Sequence, residues 1–204
     1  MIDGLMRRIV DPYLARAGRA LANSGIGADS ITLVGFALGL AGVAAIASGH
    51  FAIALLLLAA NRIADGLDGA VARATRLTDR GAFLDITLDF FLYAAVPLGF
   101  AWWNEADNAL PAALLLASFV ANGSAFLAFS ALAEKRGLNT RAPQVQRSIY
   151  YLAGLAEGFE TIVFMAAVCI VPSAFPLLAT TFAVLCLISA ITRLFLGWKL
   201  LSVR

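Results

Sequence analysis

Four aspartates stand out from the rest of the chain by type and spacing. Asp65 and Asp68 are three residues apart, and Asp85 and Asp89 are four apart. Residues at either spacing share one face of a helix. The connection between the two pairs is short, so the pairs can face one another. Four carboxylates around one small volume repel strongly in a low-dielectric setting. A divalent cation, or two, removes that conflict, and a donor set of oxygens alone favours Mg²⁺ or Mn²⁺ over zinc. A single aspartate at a helix end is usually a cap or a solvated group, and one D-x-x-D pair arises by chance. Two such pairs on consecutive apolar helices are a different matter, because intramembrane carboxylates are costly and point to function.

The elements that must carry them are membrane helices. Of 204 residues, 61% are hydrophobic and 14% are charged, whereas soluble domains carry about a quarter charged residues. The expected class is an all-α integral membrane protein, folded as one domain over residues 1–204. Six apolar segments lie near 31–48, 51–72, 81–103, 109–133, 149–171 and 176–198. Each is about the ~20 residues a bilayer span needs. Turns are expected at Ser48–His50, Thr75–Arg80, Asn104–Asn108, Glu134–Arg147 and Pro172–Pro176. Residues 1–24 repeat apolar positions at three- and four-residue spacing among Arg7, Arg8, Arg16 and Arg19. They read as an amphipathic surface helix at the membrane interface that could break at Pro12, or equally as a helix packed on the same protein.

Charge gives the expected orientation. With six spans, all 15 Lys and Arg fall on one side: the N-terminal segment, the second-to-third connection (Arg62, Arg73, Arg76, Arg80), the fourth-to-fifth connection and the C-terminal end. Positive charge stays inside, so both termini and the aspartates are expected on the cytoplasmic side of the membrane. A net charge of +2 gives no field for nucleic acid. Cys169 and Cys186 sit in apolar runs as small core residues, and His50 is the one histidine, which leaves little room for zinc.

Glycines surround the aspartates. Gly69 and Gly81 could let a bulky nucleotide approach the helix backbones. Gly35, Gly39 and Gly42 are better read as helix-packing positions. Arg73 could reach a diphosphate, or snorkel as a lone arginine.

The stretch from Asp65 to Asp89 reads DGLDGAVARATRLTDRGAFLDITLD. It resembles the signature of the CDP-alcohol phosphotransferase family, D-x-x-D-G-x-x-A-R, a spacer, then G-x-x-x-D-x-x-x-D. Asp65, Asp68, Gly69, Ala72, Arg73, Gly81, Asp85 and Asp89 hold its fixed positions. The spacer is one residue shorter than usual, between Arg73 and Thr78. Ala28 stands where the family's entry motif to the first span has proline. The resemblance implies that Asp65, Asp68 and Asp85 hold metal, with two ions per site expected. Asp89 is implied as a ligand and the general base. Asp29, Thr32, Gly69, Ala72, Arg73, Thr78 and Gly81 are implied around the CDP part of the donor. It further implies a homodimer in a bacterial-type inner membrane and a CDP-diacylglycerol-like donor, whose phosphatidyl group passes to an alcohol with release of CMP. The acceptor alcohol is expected beside the fourth-to-fifth connection, with Arg141, Arg147 and Glu157 as candidate contacts; Glu157 and Glu160 share a face and could pair with Arg147 or Arg193. A small carrier or channel is the other function class that uses intramembrane carboxylates.

Overall fold

The computed structural model describes residues 2–137 and 158–202, with side chains from residue 10 onward. No strand occurs among the described residues. The helices are α1 (Ile2–Asn23), α2 (Ala28–Ala47), α3 (Phe51–Ala74), α4 (Asp79–Trp103) and α5 (Glu105–Lys135). Then follow α6 (Gly158–Ile170), a 3-10 turn (Pro172–Ala174) and α7 (Phe175–Ser202). Four stretches are long and apolar enough to cross a membrane: α2, α4, α5 and Pro172–Ser202. They mark a multi-pass membrane protein. α3 has 24 residues, about 36 Å of helix, but Arg62, Asp65, Asp68 and Arg73 interrupt its apolar run. α6 is apolar over its 13 described residues, and the first part of the expected 149–171 segment lies outside the described residues.

Two expectations about the connections differ from what is found. The turn over Asn104–Asn108 shrinks to Asn104 alone, because this residue closes one helix and opens the next. Its backbone N–H donates to the Phe100 carbonyl (3.2 Å), and its side-chain oxygen accepts from the Asp107 N–H (3.4 Å). Nor does α1 break at Pro12. A proline removes one helix hydrogen bond, and packing along α3 offsets that loss: Leu14 covers Gly66, and Gly18 lies against Ala70.

α2 is the hub. It packs on both α3 and α4, while α3 and α4 make little direct backbone contact with each other. Buried glycines allow this closeness. A Cβ on Gly35 would lie 2.8 Å from the Ala64 Cβ, and one on Gly39 would lie 2.8 Å from the Leu92 methyls. Gly42 meets Leu58 in the same way. The stripe therefore serves helix packing, as expected. A second bundle forms where α5 packs on α7.

The core lies at the end where α3 and α7 start and α4 finishes. Phe100 stacks between Phe51 (5.8 Å) and Phe175 (4.4 Å), and Phe164 stacks on Phe182 (4.7 Å). Cys169 and Cys186 are buried there as free thiols.

Candidate active site

Because α3 and α4 both rest on α2 and make little direct contact with each other, Asp65, Asp85 and Asp89 come together between them. Asp65, Asp85 and Asp89 each contribute a carboxylate oxygen, and these oxygens lie within 4.8 Å of one another. Asp68 is buried and turned toward α2, where its Oδ2 accepts a 2.6 Å hydrogen bond from the Thr32 hydroxyl. All four line a single cavity of about 1390 Å³. Such a set of oxygens suits Mg²⁺ or Mn²⁺. The cluster reaches deeper than a helix-end location. At 1.5 Å per residue, Asp85 lies about 9 Å and Asp89 about 15 Å into α4 from its start at Asp79.

Arg62 corrects the sequence reading. It does not belong to the connection between α3 and α4. It lies near the middle of α3, one turn before Asp65, and its side chain is 13% exposed. A guanidinium at that depth must be paired. Its Nη2 donates to Asp89 Oδ1 (2.7 Å), while its Nη1 reaches Asp89 Oδ2 (3.4 Å) and the Tyr93 hydroxyl (3.2 Å). Asp65 Oδ2 is 3.9 Å away. The Tyr93 hydroxyl donates to Asp89 Oδ2 (3.1 Å). Behind Arg62, its Nε donates to Asn61 Oδ1 (2.8 Å), and Asn61 Nδ2 donates to the Gly35 carbonyl of α2 (2.9 Å). Sequence reasoning missed Asn61, Arg62 and Tyr93. The available signals were an Asn-Arg dipeptide inside an apolar run and a tyrosine one turn after Asp89.

The remaining expected residues divide into two groups. Gly69 and Arg73 line the cavity with the aspartates, and Arg73 folds back over Gly69, whose added Cβ would sit 3.2 Å from Nη1. Asp29, Thr78 and Gly81 gather where α2 and α4 begin. Thr78 caps α4 by accepting from the Gly81 N–H (3.0 Å), and a Cβ on Gly81 would come within 3.3 Å of Asp29 Oδ1. Arg80 pairs with Asp29. Thr32 lies behind the cluster rather than in the large cavity, and Ala72 is likewise not among that cavity's lining residues. Ala28 opens α2 at the first helical position, where proline and alanine both fit, so its departure from the family motif leaves the helix start intact.

The cavity continues between α5, α6 and α7, with an apolar wall that includes Leu116, Phe119, Val120 and Leu127. At this end Arg193 reaches Asn122 Oδ1 (3.1 Å) and sits over the Phe126 ring (5.2 Å). Glu160 opens α6. The expected acceptor contacts Arg141, Arg147 and Glu157 lie outside the described residues.

The family model for CDP-alcohol phosphatidyltransferases matches residues 26–201. The chain belongs to that family. It is 42% identical to inner membrane protein YnjF of Escherichia coli over 202 residues, covering 99% of this chain and 98% of that relative. Among solved structures, the Mycobacterium tuberculosis phosphatidylinositol phosphate synthase with CDP-DAG bound superposes with a TM-score of 0.70 at 24% identity, covering 91% of this chain and 93% of that one. The same mycobacterial enzyme in complex with manganese and citrate gives 0.66 at 22% identity, covering 91% and 88%. The chain is thus a transferase of the CDP-alcohol phosphatidyltransferase class.

Proposed function

We propose that the chain transfers a phosphatidyl group from CDP-diacylglycerol, or a similar CDP-lipid, to a small alcohol and releases CMP. The observation that carries this reading is the convergence of three carboxylate oxygens within 4.8 Å, beside Asp68, at the wall of a cavity large enough for a nucleotide and an acceptor together. Asp65, Asp68, Asp85 and Asp89 would hold Mg²⁺ or Mn²⁺, two ions per site. When bound, such ions supply positive charge beside the diphosphate and ease departure of CMP. Family membership, and the CDP-DAG and manganese carried by the mycobacterial structures, support this choice of donor and metal.

The chain's own residues have separate tasks in this reading. Arg73 reaches the diphosphate from above Gly69, where a missing side chain lets the phosphates approach the backbone. Asp29, Thr32, Ala72, Thr78 and Gly81 shape the cytidine end. The apolar wall of α5 accommodates the lipid part. The acceptor oxygen attacks the lipid-side phosphorus, the P–O bond to CMP breaks, and Asp89 takes the hydroxyl proton. Arg193 and Asn122 offer a charged and a polar contact for the acceptor at the far end of the cavity. Arg141, Arg147 and Glu157 are the sequence candidates for the same role. A phosphorylated acceptor fits these cations.

In the membrane, α3 and α6 complete six spans with α2, α4, α5 and α7. α1 lies at the interface while packing on α3. Both termini and the site face the cytoplasm of an inner membrane, and the chain is a single domain that works as a homodimer. With Arg62 and Arg193 engaged inside helices, the orientation rests on the cations at the helix ends and connections.

The test is direct. Purified protein is incubated with Mg²⁺ or Mn²⁺, CDP-diacylglycerol and a panel of alcohols that includes glycerol phosphate and inositol phosphate. Acceptor-dependent CMP release is expected. Its absence across the panel, together with transport of a solute in proteoliposomes, would return the chain to the carrier class.

A further inference from the structure

An arginine in a membrane helix usually snorkels to water. Arg62 does the opposite: it points from the middle of α3 into the carboxylate cluster with little exposure. Its guanidinium engages both oxygens of Asp89, at 2.7 and 3.4 Å, and Tyr93 adds a third donor at 3.1 Å. Asn61 grips the Nε edge of the guanidinium and is itself tied to the α2 backbone at Gly35. Two effects follow. The Asp89 carboxylate is held against rotation by groups from two helices anchored on a third. The cluster also carries a positive charge before any divalent ion arrives, which relieves repulsion among carboxylates in low dielectric.

We infer that Arg62 is a positioning residue that aims the Asp89 carboxylate and stands in for part of the charge that a divalent ion brings to the site. The kinetic half of this inference rests on the transferase reading; the charge half does not. The two halves separate by substitution. Arg62→Gln removes the charge and the fork, whereas Arg62→Lys keeps the charge and loses the fork, because an ammonium is a point donor.

The experiment uses the full chain purified in detergent. Mn²⁺ alone is titrated calorimetrically into wild type and both variants, metal-free thermal unfolding is recorded, and kcat and donor KM are measured from CMP release. Arg62→Gln is expected to bind Mn²⁺ on the order of tenfold more tightly, as fits removal of one positive charge near a divalent ion. It should also unfold at a lower temperature without metal. Arg62→Lys should stay within about threefold of wild type in Mn²⁺ affinity, since its charge is unchanged. Both variants should lose about tenfold or more in kcat with donor KM changed less than about threefold, the signature of a residue acting at the reacting group rather than in binding. Mn²⁺ binding by Arg62→Gln that is no tighter than wild type overturns the charge half. Wild-type kcat in Arg62→Lys overturns the fork half. Should either variant fail to fold, Tyr93→Phe removes one donor from Asp89 without changing any charge. It is expected to lower kcat at unchanged Mn²⁺ affinity, and unchanged kcat there also overturns the positioning role. A wild-type protein that releases no CMP counts against the transferase reading, and the Mn²⁺ titration still decides the charge half.

Discussion

The two ends of the bundle are built on opposite principles. Where α3 and α7 start and α4 finishes, Phe51, Phe100 and Phe175 stack face to face, and Asn108 closes the Phe100 carbonyl with a 2.9 Å hydrogen bond. Toward the other end the same helices diverge around about 1390 Å³ of open, carboxylate-lined space. Close packing at one end fixes the helices so that like charges can be held together at the other. Stability and chemistry are thus divided along the length of each helix rather than between helices.

That division can be broken in order of expected effect. Asp89→Asn removes the base and a metal ligand and should lower CMP release by about 10²–10⁴-fold; it also leaves the buried Arg62 without its main carboxylate partner, so the unfolding temperature should fall too. Phe100→Ala should lower stability alone. It empties the centre of the aromatic stack and should cost about 3–5 kcal/mol, read as a fall in unfolding temperature, with turnover per folded molecule retained. Gly35→Ala tests the contact between the halves. Its methyl would meet Ala64 at 2.8 Å, so it should cost about 1–3 kcal/mol by overpacking and lower activity as well, since α3 must shift. Thr32→Val removes the 2.6 Å support of Asp68 and should reduce activity or metal affinity by about tenfold, measured as the Mn²⁺ dependence of CMP release. Arg80→Ala breaks an ion pair whose arginine side chain is 84% exposed. It should change stability by less than about 1 kcal/mol, so a large loss there would reveal that Arg80 touches substrate.

Much of this arrangement was legible in the sequence. Apolar runs of about twenty residues announced the helices, and the i, i+3 and i, i+4 spacings put each aspartate pair on one face. The glycine stripe of α2 was readable as packing. What escaped was pairing across helices. Arg62 read as one more cytoplasmic cation because charge counting ignores depth, and only the fold shows that α3 carries it beside Asp89. Tyr93 looked like any aromatic in a membrane helix. Proline and turn rules also overreached. Pro12 is overridden by packing on α3, and Asn104 does in one residue what composition suggested would take five.

The glycine stripe has a consequence for how the chain tolerates change. On α2, Gly35, Gly39 and Gly42 are buried between neighbours, whereas Leu33, Val34 and Leu40 are exposed on the outer face. Saturation mutagenesis along this helix should therefore produce a striped map, intolerant every three to four residues and permissive between. The intolerant stripe would lie on a helix that supplies none of the four carboxylates, because the thickness of α2 acts as the gauge that sets how far apart they stand.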